Sequence, residues 1–326
     1  MSEIANKMRA AVIVAPGRCE IRTVDVPVPA RDQVLVRVEG CGVCGSSLPR
    51  WHGRPWFHYP GEPGSPGHEG WGRVVAAGPA ARDVAVGDRV GFLSEHAFAE
   101  FDVSNAFVKL PDGLGDVPGE PLGCAMNIWR RSDIERGQNV AVIGAGFMGL
   151  LMIELAAKAG ANVIAISQRS YSREMAVRVA ATGSGSIDVI ELGASDGDVV
   201  ARVEELTDGQ GCERVLEMVG MQRPLDIATR LTRVRGRLVI AGFHQDGMRS
   251  VDMFHWNWRG LDVINAHERD PKHCVEGMRA AIDAVATGRL EPAHLYTHRV
   301  PLGEAGAAFD LLSTRPAGFV KALVTP

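Results

Sequence analysis

The sequence predicts an α/β protein in which a β-rich domain, built from both ends of the chain, flanks a doubly wound parallel sheet. Two observations lead to this fold class. Short apolar runs punctuated by Gly and Pro fill residues 8–110, whereas strands and helices alternate from about 122 to 265. The first pattern is typical of a barrel-like β domain, and the second of a parallel sheet with helices on both faces.

The β-rich domain is expected to span residues 1–121 and to be completed by residues 267–326. Its clearest predicted strands are residues 10–14, 33–38, 71–77 and 89–92. The C-terminal part is predicted to contain a helix at residues 275–287 and strands at residues 298–301 and 318–324. A β-rich segment that resumes after an α/β segment indicates that the C-terminal part returns to the first domain.

The middle domain is expected to span residues 122–266. Its predicted strands are residues 139–143, 162–167, 214–219, 237–241 and 261–264, and helical patterns at residues 147–158 and 172–181 are the clearest connections. Apolar strands that alternate with helical segments favour parallel crossover units.

Composition limits the classes of function. The net charge is −4 over 326 residues, so the sequence lacks the excess of basic residues that is typical of a nucleic-acid-binding protein. The most apolar stretch, residues 140–153, is shorter than the roughly 20 residues of a membrane span. The N-terminus has no apolar leader pattern, so the expected location is the cytoplasm. There the six cysteines are expected to be thiols or metal ligands rather than disulfides.

A glycine-rich turn follows the first strand of the middle domain. Gly144, Gly146 and Gly149, with Phe147 and Met148 between them, stand between a predicted strand and a predicted helix. In a dinucleotide fingerprint the first glycine allows the turn, the second lets the pyrophosphate approach, and the third lets helix and strand pack closely. The alternative is a glycine-rich turn without a ligand.

The end of the next predicted strand indicates which dinucleotide is preferred. Ser167, Gln168 and Arg169 stand where an NAD site usually places an acid, and the first acid comes only at Glu174. Without a carboxylate to repel a 2′-phosphate, and with Arg169 to bind it, we expect NADP(H) to be preferred over NAD(H). Arg169 as a solvated surface residue is the alternative.

Cysteine and histidine mark a candidate metal site in the β-rich domain. Cys41 and Cys44 are followed by His68, and both residue types bind Zn²⁺ well. Taken alone, the cysteine pair could be a redox pair or a zinc knuckle. A lone histidine is more often structural.

The chain resembles the zinc-dependent alcohol and polyol branch of the medium-chain dehydrogenase/reductase superfamily, of sorbitol dehydrogenase type. The resemblance runs in order along nearly the whole chain, through the segments at residues 41–46, 67–69, 86–90, 97–101, 120–122, 144–149, 297–299 and 321–324. It implies a GroES-like catalytic domain, of β-barrel character, together with a Rossmann domain. The ordered set of segments is far more specific than any one of them.

The resemblance also implies roles for individual residues. Cys44 and His68 match two zinc ligands, and Glu120 matches the position of the third ligand. Cys124 stands close by in sequence as an alternative ligand, and Glu69, which can approach the metal in some states of the family, is the other candidate to complete the zinc shell. The matched residues with other roles are Ser46, which relays the proton of the substrate alcohol, Glu69, the acid beside the histidine, and Lys321, which is expected among the cofactor contacts.

Two departures from the family pattern matter. Ser47 stands where the family usually has an Asp that bonds the ligating histidine, orients it and raises its basicity. The family's four-cysteine structural zinc lobe is missing, because no cysteine occurs between Cys44 and Cys124. One catalytic zinc per chain is therefore expected at most.

The function that the sequence favours is hydride transfer between NADP(H) and a secondary alcohol, polyol or sugar, or its ketone. Two alternatives stay open, a zinc-free reductase of activated double bonds on the same fold and a non-catalytic cofactor-binding protein. Cys44 with His68 argues against the first, and only Ser47 encourages the second. We expect a small-molecule substrate, a homodimer or homotetramer, and neither nucleic acid nor membrane as a partner.

Overall fold

The structure is a computed structural model that describes residues 5–193 and 195–326. The protein divides into two compact units. The first consists of the chain up to Gly123 together with Asp270–Pro326, and the second consists of Cys124–Arg269. Within the described residues no helix combines the length and the apolar character that crossing a membrane requires.

The secondary structure of the N-terminal part of the first unit consists mainly of β-strands. The elements are β1 (Lys7–Ala15), β2 (Arg18–Asp25), β3 (Val34–Gly42), α1 (Leu48–Trp51), β4 (Glu69–Ala77), β5 (Arg89–Phe92), β6 (Phe101–Ser104), β7 (Phe107–Lys109) and α2 (Gly119–Ser132), which continues into the second unit. The four strands predicted here correspond to β1, β3, β4 and β5, the second of them beginning one residue before β3. The short strands β2, β6 and β7 were not predicted.

Strands and helices alternate in the second unit, as the sequence predicts. The elements are β8 (Asn139–Ile143), α3 (Phe147–Lys158), β9 (Asn162–Ser167), α4 (Ser170–Ala180), β10 (Ile187–Glu191), α5 (Asp196–Leu206), β11 (Cys212–Glu217), α6 (Gln222–Leu231), β12 (Thr232–Ile240), α7 (Met253–Arg259) and β13 (Asp262–Asn265).

These six strands form one parallel sheet in the order β10-β9-β8-β11-β12-β13. The order runs outward in both directions from β8, so the sheet reverses between β8 and β11. In open sheets of this kind ligands bind at the carboxyl ends of the strands beside such a switch point. The predicted doubly wound fold is confirmed.

The C-terminal segment completes the first unit. Its elements are α8 (Pro271–Ala286), β14 (His298–Pro301), α9 (Ala305–Thr314) and β15 (Ala322–Thr325). The strand predicted at residues 318–324 is wrong over its first half. Gly318 has φ 84°, and the Phe319 amide bonds the Pro316 carbonyl oxygen, so a turn occupies the place where the apolar run predicts a strand.

A seven-stranded sheet organises the first unit. Its order is β14-β15-β3-β4-β5-β7, with β6 also paired to β3. Because β3 lies between β15 and β4, the end of β3, the start of β4 and the residue before β15 meet at one place. Trp51 stacks on Phe309 at 5.1 Å in the apolar core of this unit.

Candidate active site

Three potential metal ligands come together at the place where β3, β4 and β15 meet. The Cys44 sulfur, a His68 ring nitrogen and a Glu69 carboxylate oxygen all lie within 4.8 Å of one another. Cys44 begins a single 3-10 turn, Gly45–Ser47, just after β3, and His68 immediately precedes β4. Ligand atoms of a tetrahedral zinc site lie about 3.5 Å apart, so modest adjustment brings this set to zinc.

A backbone carbonyl oxygen fixes the orientation of the His68 ring. Its Nδ1 lies 3.0 Å from the carbonyl oxygen of Pro66, which can only accept a hydrogen bond, so Nδ1 carries the proton. The Nε2 atom therefore faces Cys44 and is 3.5 Å from the Ser46 hydroxyl. A backbone carbonyl orients the ligand here, which is one of the usual partners of a metal-binding histidine.

Ser47 does not take over the part of the missing aspartate. Its side chain is 3% exposed, and within the described chain its hydroxyl has no hydrogen-bond partner. The Pro66 carbonyl thus accounts for the first departure from the family pattern. It was not predicted, since a backbone acceptor leaves no trace in residue type.

The charges around His68 favour an added cation. Burial lowers the pKa of His68, but the hydrogen bond and charge of Cys44, followed by the charges of Glu120 and Glu69, raise that pKa by more, to about 10 from 6.5. Several anionic groups therefore face one imidazole. A soft thiolate, an imidazole and a carboxylate are a donor set that suits Zn²⁺.

Glu69 and Lys321 form a buried ion pair next to this cluster. The Lys321 ammonium lies 2.7 Å from Oε1 and 2.6 Å from Oε2 of Glu69, and the two side chains are 5% and 1% exposed. Burial lowers the pKa of Lys321, but Glu69, Cys44 and Glu120 raise it by more, so the net pKa lies above its ordinary value. The structure thus gives Lys321, predicted as a cofactor contact, a carboxylate partner in the first unit.

Gly42 makes room for this pair and was not predicted as a site residue. It stands opposite Glu69 in the β3–β4 ladder. A Cβ atom at Gly42 would lie 1.9 Å from Glu69 Oε2 and 3.1 Å from the Lys321 side chain. The signal in the sequence is a glycine inside a strand, which often marks a close approach.

Glu120 and Cys124 lie one helical turn apart on α2. Glu120 is in the first turn, where its carboxylate also benefits from the helix dipole. Its charge acts on both His68 and Lys321, which places it in the electrostatic surroundings of the cluster. Cys124 is half-buried. Neither belongs to the set of ligand atoms within 4.8 Å.

The aromatic residues between Trp51 and Tyr59 divide between packing and exposure. Trp51 belongs to the core, and its indole N–H donates to Asp310 at 3.0 Å. Phe57 packs under the Arg50 guanidinium at 4.7 Å. Trp56 is 51% exposed. Packing therefore explains the first two residues, whereas Trp56 presents its ring to solvent.

The glycine-rich turn of the second unit has the geometry of a dinucleotide site. Gly144 has φ 101°, a left-handed value that favours glycine. A Cβ atom at Gly149 would lie 1.9 Å from the Gly144 carbonyl oxygen, whereas a Cβ placed at Gly146 would meet no other part of the described chain within 4 Å. Gly146 is the N-cap of α3, and among the described residues no side-chain hydrogen bond caps it, which is typical of a helix start that binds an anion.

Replacing Gly146 and Gly149 by alanine should separate binding from folding. Gly149→Ala forces its Cβ into backbone and is expected to cost about 1–3 kcal/mol of stability. Gly146→Ala should leave the free energy of unfolding within about 0.5 kcal/mol of wild type. It should nevertheless weaken dinucleotide binding about tenfold or more, since its methyl group fills the space for the pyrophosphate. Urea denaturation measures the free energy of unfolding, and calorimetric titration measures dinucleotide affinity. Wild-type affinity in Gly146→Ala would contradict the assignment of this turn to the pyrophosphate.

The predicted ribose-binding edge follows β9. Ser167 is buried at the end of the strand, Gln168 is exposed, and Arg169 is the N-cap of α4. Arg173 was not predicted, yet its guanidinium donates to the carbonyl oxygens of Ser167 and Gln168, both at 2.9 Å, and pairs with Glu191 at 3.2 Å. Arg173 thus holds the backbone from which Arg169 projects.

Comparisons with known proteins agree with this geometry. Residues 30–115 match the model of the alcohol dehydrogenase GroES-like domain, and residues 148–286 match that of the zinc-binding dehydrogenases. Sorbitol dehydrogenase of Ovis aries is 28% identical over 334 residues, covering 92% of this chain and 91% of the relative. D-arabitol-phosphate dehydrogenase of Enterococcus avium is 25% identical over 346 residues, covering 94% and 95%.

A solved structure extends the comparison to three dimensions. A protein described as a zinc-binding dehydrogenase from Sinorhizobium meliloti 1021, crystallised with NADP bound, superposes with a TM-score of 0.84. It is 29% identical, and the match covers 99% of this chain and 100% of that one.

Fold, metal-ligand cluster and dinucleotide turn together define a nicotinamide-dependent dehydrogenase of the zinc-binding kind. The chain belongs to the zinc-dependent alcohol and polyol dehydrogenases of the medium-chain dehydrogenase/reductase superfamily.

Proposed function

We propose that this enzyme transfers a hydride between NADP(H) and a secondary alcohol of a polyol or sugar, or the corresponding ketone. The observation that carries the proposal is the meeting of Cys44, His68 and Glu69 within 4.8 Å, since a zinc-free reductase has no use for such a set. The polyol and sugar-alcohol dehydrogenases among the relatives support the substrate class.

In this proposal Cys44, His68 and Glu120 would hold a single zinc ion, with Glu69 or Cys124 as the alternative to Glu120. The chemistry that zinc supplies in such a site is that of a Lewis acid for the substrate oxygen. Three protein ligands leave one position for that oxygen. The Pro66 carbonyl oxygen holds Nδ1 of His68, so Nε2 would be the nitrogen that binds the ion.

Ser46 and Glu69 act on either side of the ligands. The half-buried Ser46 hydroxyl, 3.5 Å from His68 Nε2, can accept the proton of the substrate alcohol and pass it to water. Glu69 is paired with Lys321 and therefore contributes as a fixed negative charge behind the ligands. The positive charge of Lys321 in turn partly offsets the electrostatic effect of Glu69 on the ligands.

In this proposal Arg169 is the residue that selects NADP(H) over NAD(H). The edge formed by Ser167, Gln168 and Arg169 carries no carboxylate, which supports a site that accepts the 2′-phosphate. Arg169→Gln is expected to raise the Kd of NADP⁺ about tenfold and to leave that of NAD⁺ within about twofold, because only NADP⁺ carries the extra anion. The exposed Arg178 on the same helix supplies the control variant Arg178→Gln. Equal losses for both dinucleotides would contradict the assignment.

The decisive experiment measures zinc content and dinucleotide affinity on protein purified without chelator, followed by a screen of polyols, sugars and their ketones. The proposal expects about one zinc per chain, tighter binding of NADP⁺ than of NAD⁺, and turnover of at least one polyol or sugar. Metal analysis of Glu69→Ala, Glu120→Ala and Cys124→Ala identifies the third ligand. Turnover of an activated double bond without zinc would favour the reductase, and binding without turnover the non-catalytic alternative.

The proposal includes a homodimer or homotetramer in the cytoplasm. Helix α7 buries none of its residues within one chain, and its Phe254 and Trp258 are 75% and 80% exposed and stack on each other at 6.0 Å. Such an exposed aromatic pair supports a contact with a second copy. The six free thiols support a reducing compartment.

A further inference from the structure

A buried glutamate ends the strand beside the dinucleotide turn. Glu217 is the last residue of β11, and none of its surface is exposed. Its Oε1 accepts hydrogen bonds from the amides of Val219 at 2.7 Å and Gly220 at 2.8 Å. A buried carboxylate needs such donors, and the segment that follows β11 is thereby folded back onto the strand end.

His244 is the side-chain donor to the same carboxylate. Its Nε2 lies 3.0 Å from Oε2 of Glu217, while its Nδ1 lies 3.0 Å from Nε of Arg249. A guanidinium can only donate, so Nδ1 is the acceptor and the proton lies on Nε2, directed at Glu217. Arg249 thus sets the tautomer that Glu217 requires.

The chain of contacts ends on the glycine-rich turn. The methyl group of Val219 packs so closely on Gly144 that a Cβ there would lie 2.6 Å from it. Arg249 also donates to the Gly220 carbonyl oxygen at 3.1 Å, so it holds the same segment from a second side. Strands β8 and β11 are neighbours at the switch point of the sheet, where the cofactor is expected.

We propose that His244, with its tautomer set by Arg249, is a positioning residue for the dinucleotide: through Glu217 it holds Val219 against Gly144 and so fixes the turn that receives the pyrophosphate. The inference rests on the proposed function, because it assumes that this turn binds a nicotinamide dinucleotide. His244 itself is assigned no contact with the cofactor.

Three variants test this role. His244→Leu removes both hydrogen bonds, and His244→Gln keeps an amide donor for Glu217 and a carbonyl acceptor for Arg249. Arg249→Gln removes the guanidinium that donates to His244 and to the Gly220 carbonyl oxygen. We expect the Kd of NADP⁺, measured by calorimetric titration, to rise about tenfold in His244→Leu and to recover largely in His244→Gln. Hydrogen–deuterium exchange without ligand should become faster at residues 143–149 and 217–221 in His244→Leu and in Arg249→Gln, and it should stay near the wild-type rate in His244→Gln.

Glu213 at the opposite end of β11 supplies the matched control. It accepts from the Asn139 amide at 2.9 Å and pairs with Arg233, so Glu213→Gln removes a comparable charged contact from the same strand. This variant should lose stability in urea while its Kd for NADP⁺ and its exchange at residues 143–149 stay at wild-type values.

Wild-type affinity in His244→Leu would overturn the inference, and so would an equal loss of affinity in Glu213→Gln. If His244→Leu does not fold, Arg249→Gln must still weaken NADP⁺ binding and speed exchange at the turn, and unchanged values in it overturn the inference. Should the wild-type protein bind no dinucleotide, the proposed function fails as well. Normal binding by the wild type with no effect in the variants removes the role of His244 alone.

Discussion

Replacing Cys44 by alanine is expected to abolish metal binding and to lower kcat/KM about 10³-fold. A zinc ligand set reduced to two protein side chains no longer holds the ion firmly, and the Lewis acid is worth several kcal/mol at the transition state. Each 1.36 kcal/mol is a factor of ten in rate. Metal analysis per chain, together with turnover of the best substrate from the polyol and sugar screen, measures both effects.

Ser47→Ala is the matched control for this variant. Ser47 lies three residues further along the same segment and is buried, yet within the described residues its hydroxyl has no hydrogen-bond partner. Its removal should leave zinc content and kcat/KM within about twofold of wild type. Full zinc occupancy and turnover in Cys44→Ala would contradict the ligand assignment, whereas loss of zinc in Ser47→Ala would give Ser47 the role assigned here to the Pro66 carbonyl.

Replacing Lys321 by methionine is expected to be the most destabilising change in the first unit, at about 3–5 kcal/mol. Methionine has a similar volume but leaves the Glu69 carboxylate buried without its cation. The double variant Lys321→Met/Glu69→Gln removes the unpaired charge as well and should recover much of the loss. Urea denaturation of the wild-type protein, both single variants and the double variant measures the coupling between the two side chains.

The dependence of this loss on pH has a definite sign. Since the pKa of Lys321 is raised in the folded protein, its stabilising effect is complete below its ordinary pKa of 10.5 and is lost only as the pH rises through the higher, folded value. The difference in stability between wild type and Lys321→Met/Glu69→Gln, which leaves no unpaired carboxylate at this place, should therefore be constant from about pH 7 to 9. A difference that shrinks within this range would show that the ion pair is not its source.

Local patterns in the sequence were sufficient to predict the glycine-rich turn of the second unit. The spacing of Gly144, Gly146 and Gly149 between a strand and a helix predicts the turn, because strand, turn and helix are consecutive in the chain. The parallel sheet followed from the same alternation. Predicting Arg173 would have required knowing that its guanidinium turns back to the carbonyl oxygens of the preceding strand end.

The metal site was predicted less completely, because its geometry depends on pairing between distant segments. Cys44 and His68 carry the resemblance, but the partner of Lys321 depends on β15 lying beside β3. Residue types do not reveal that the Pro66 carbonyl oxygen contacts His68. Nor do they reveal that the Ser47 hydroxyl has no hydrogen-bond partner within the described residues. Short strands such as β6 and β7 are stabilised by pairing with longer neighbours, and their own periodicity is too brief to reveal them.

The pairing of Glu69 with Lys321 also fixes when the active site can form during synthesis. Lys321 follows Glu69 by 252 residues, which at roughly 5–20 residues per second is a delay of roughly 13–50 s on the ribosome. The second unit, Cys124–Arg269, is complete well before then and has its own sheet and core. The nascent chain can therefore form its glycine-rich turn while Glu69 still lacks its cation, and the proposed metal site is among the last parts of the molecule to be completed.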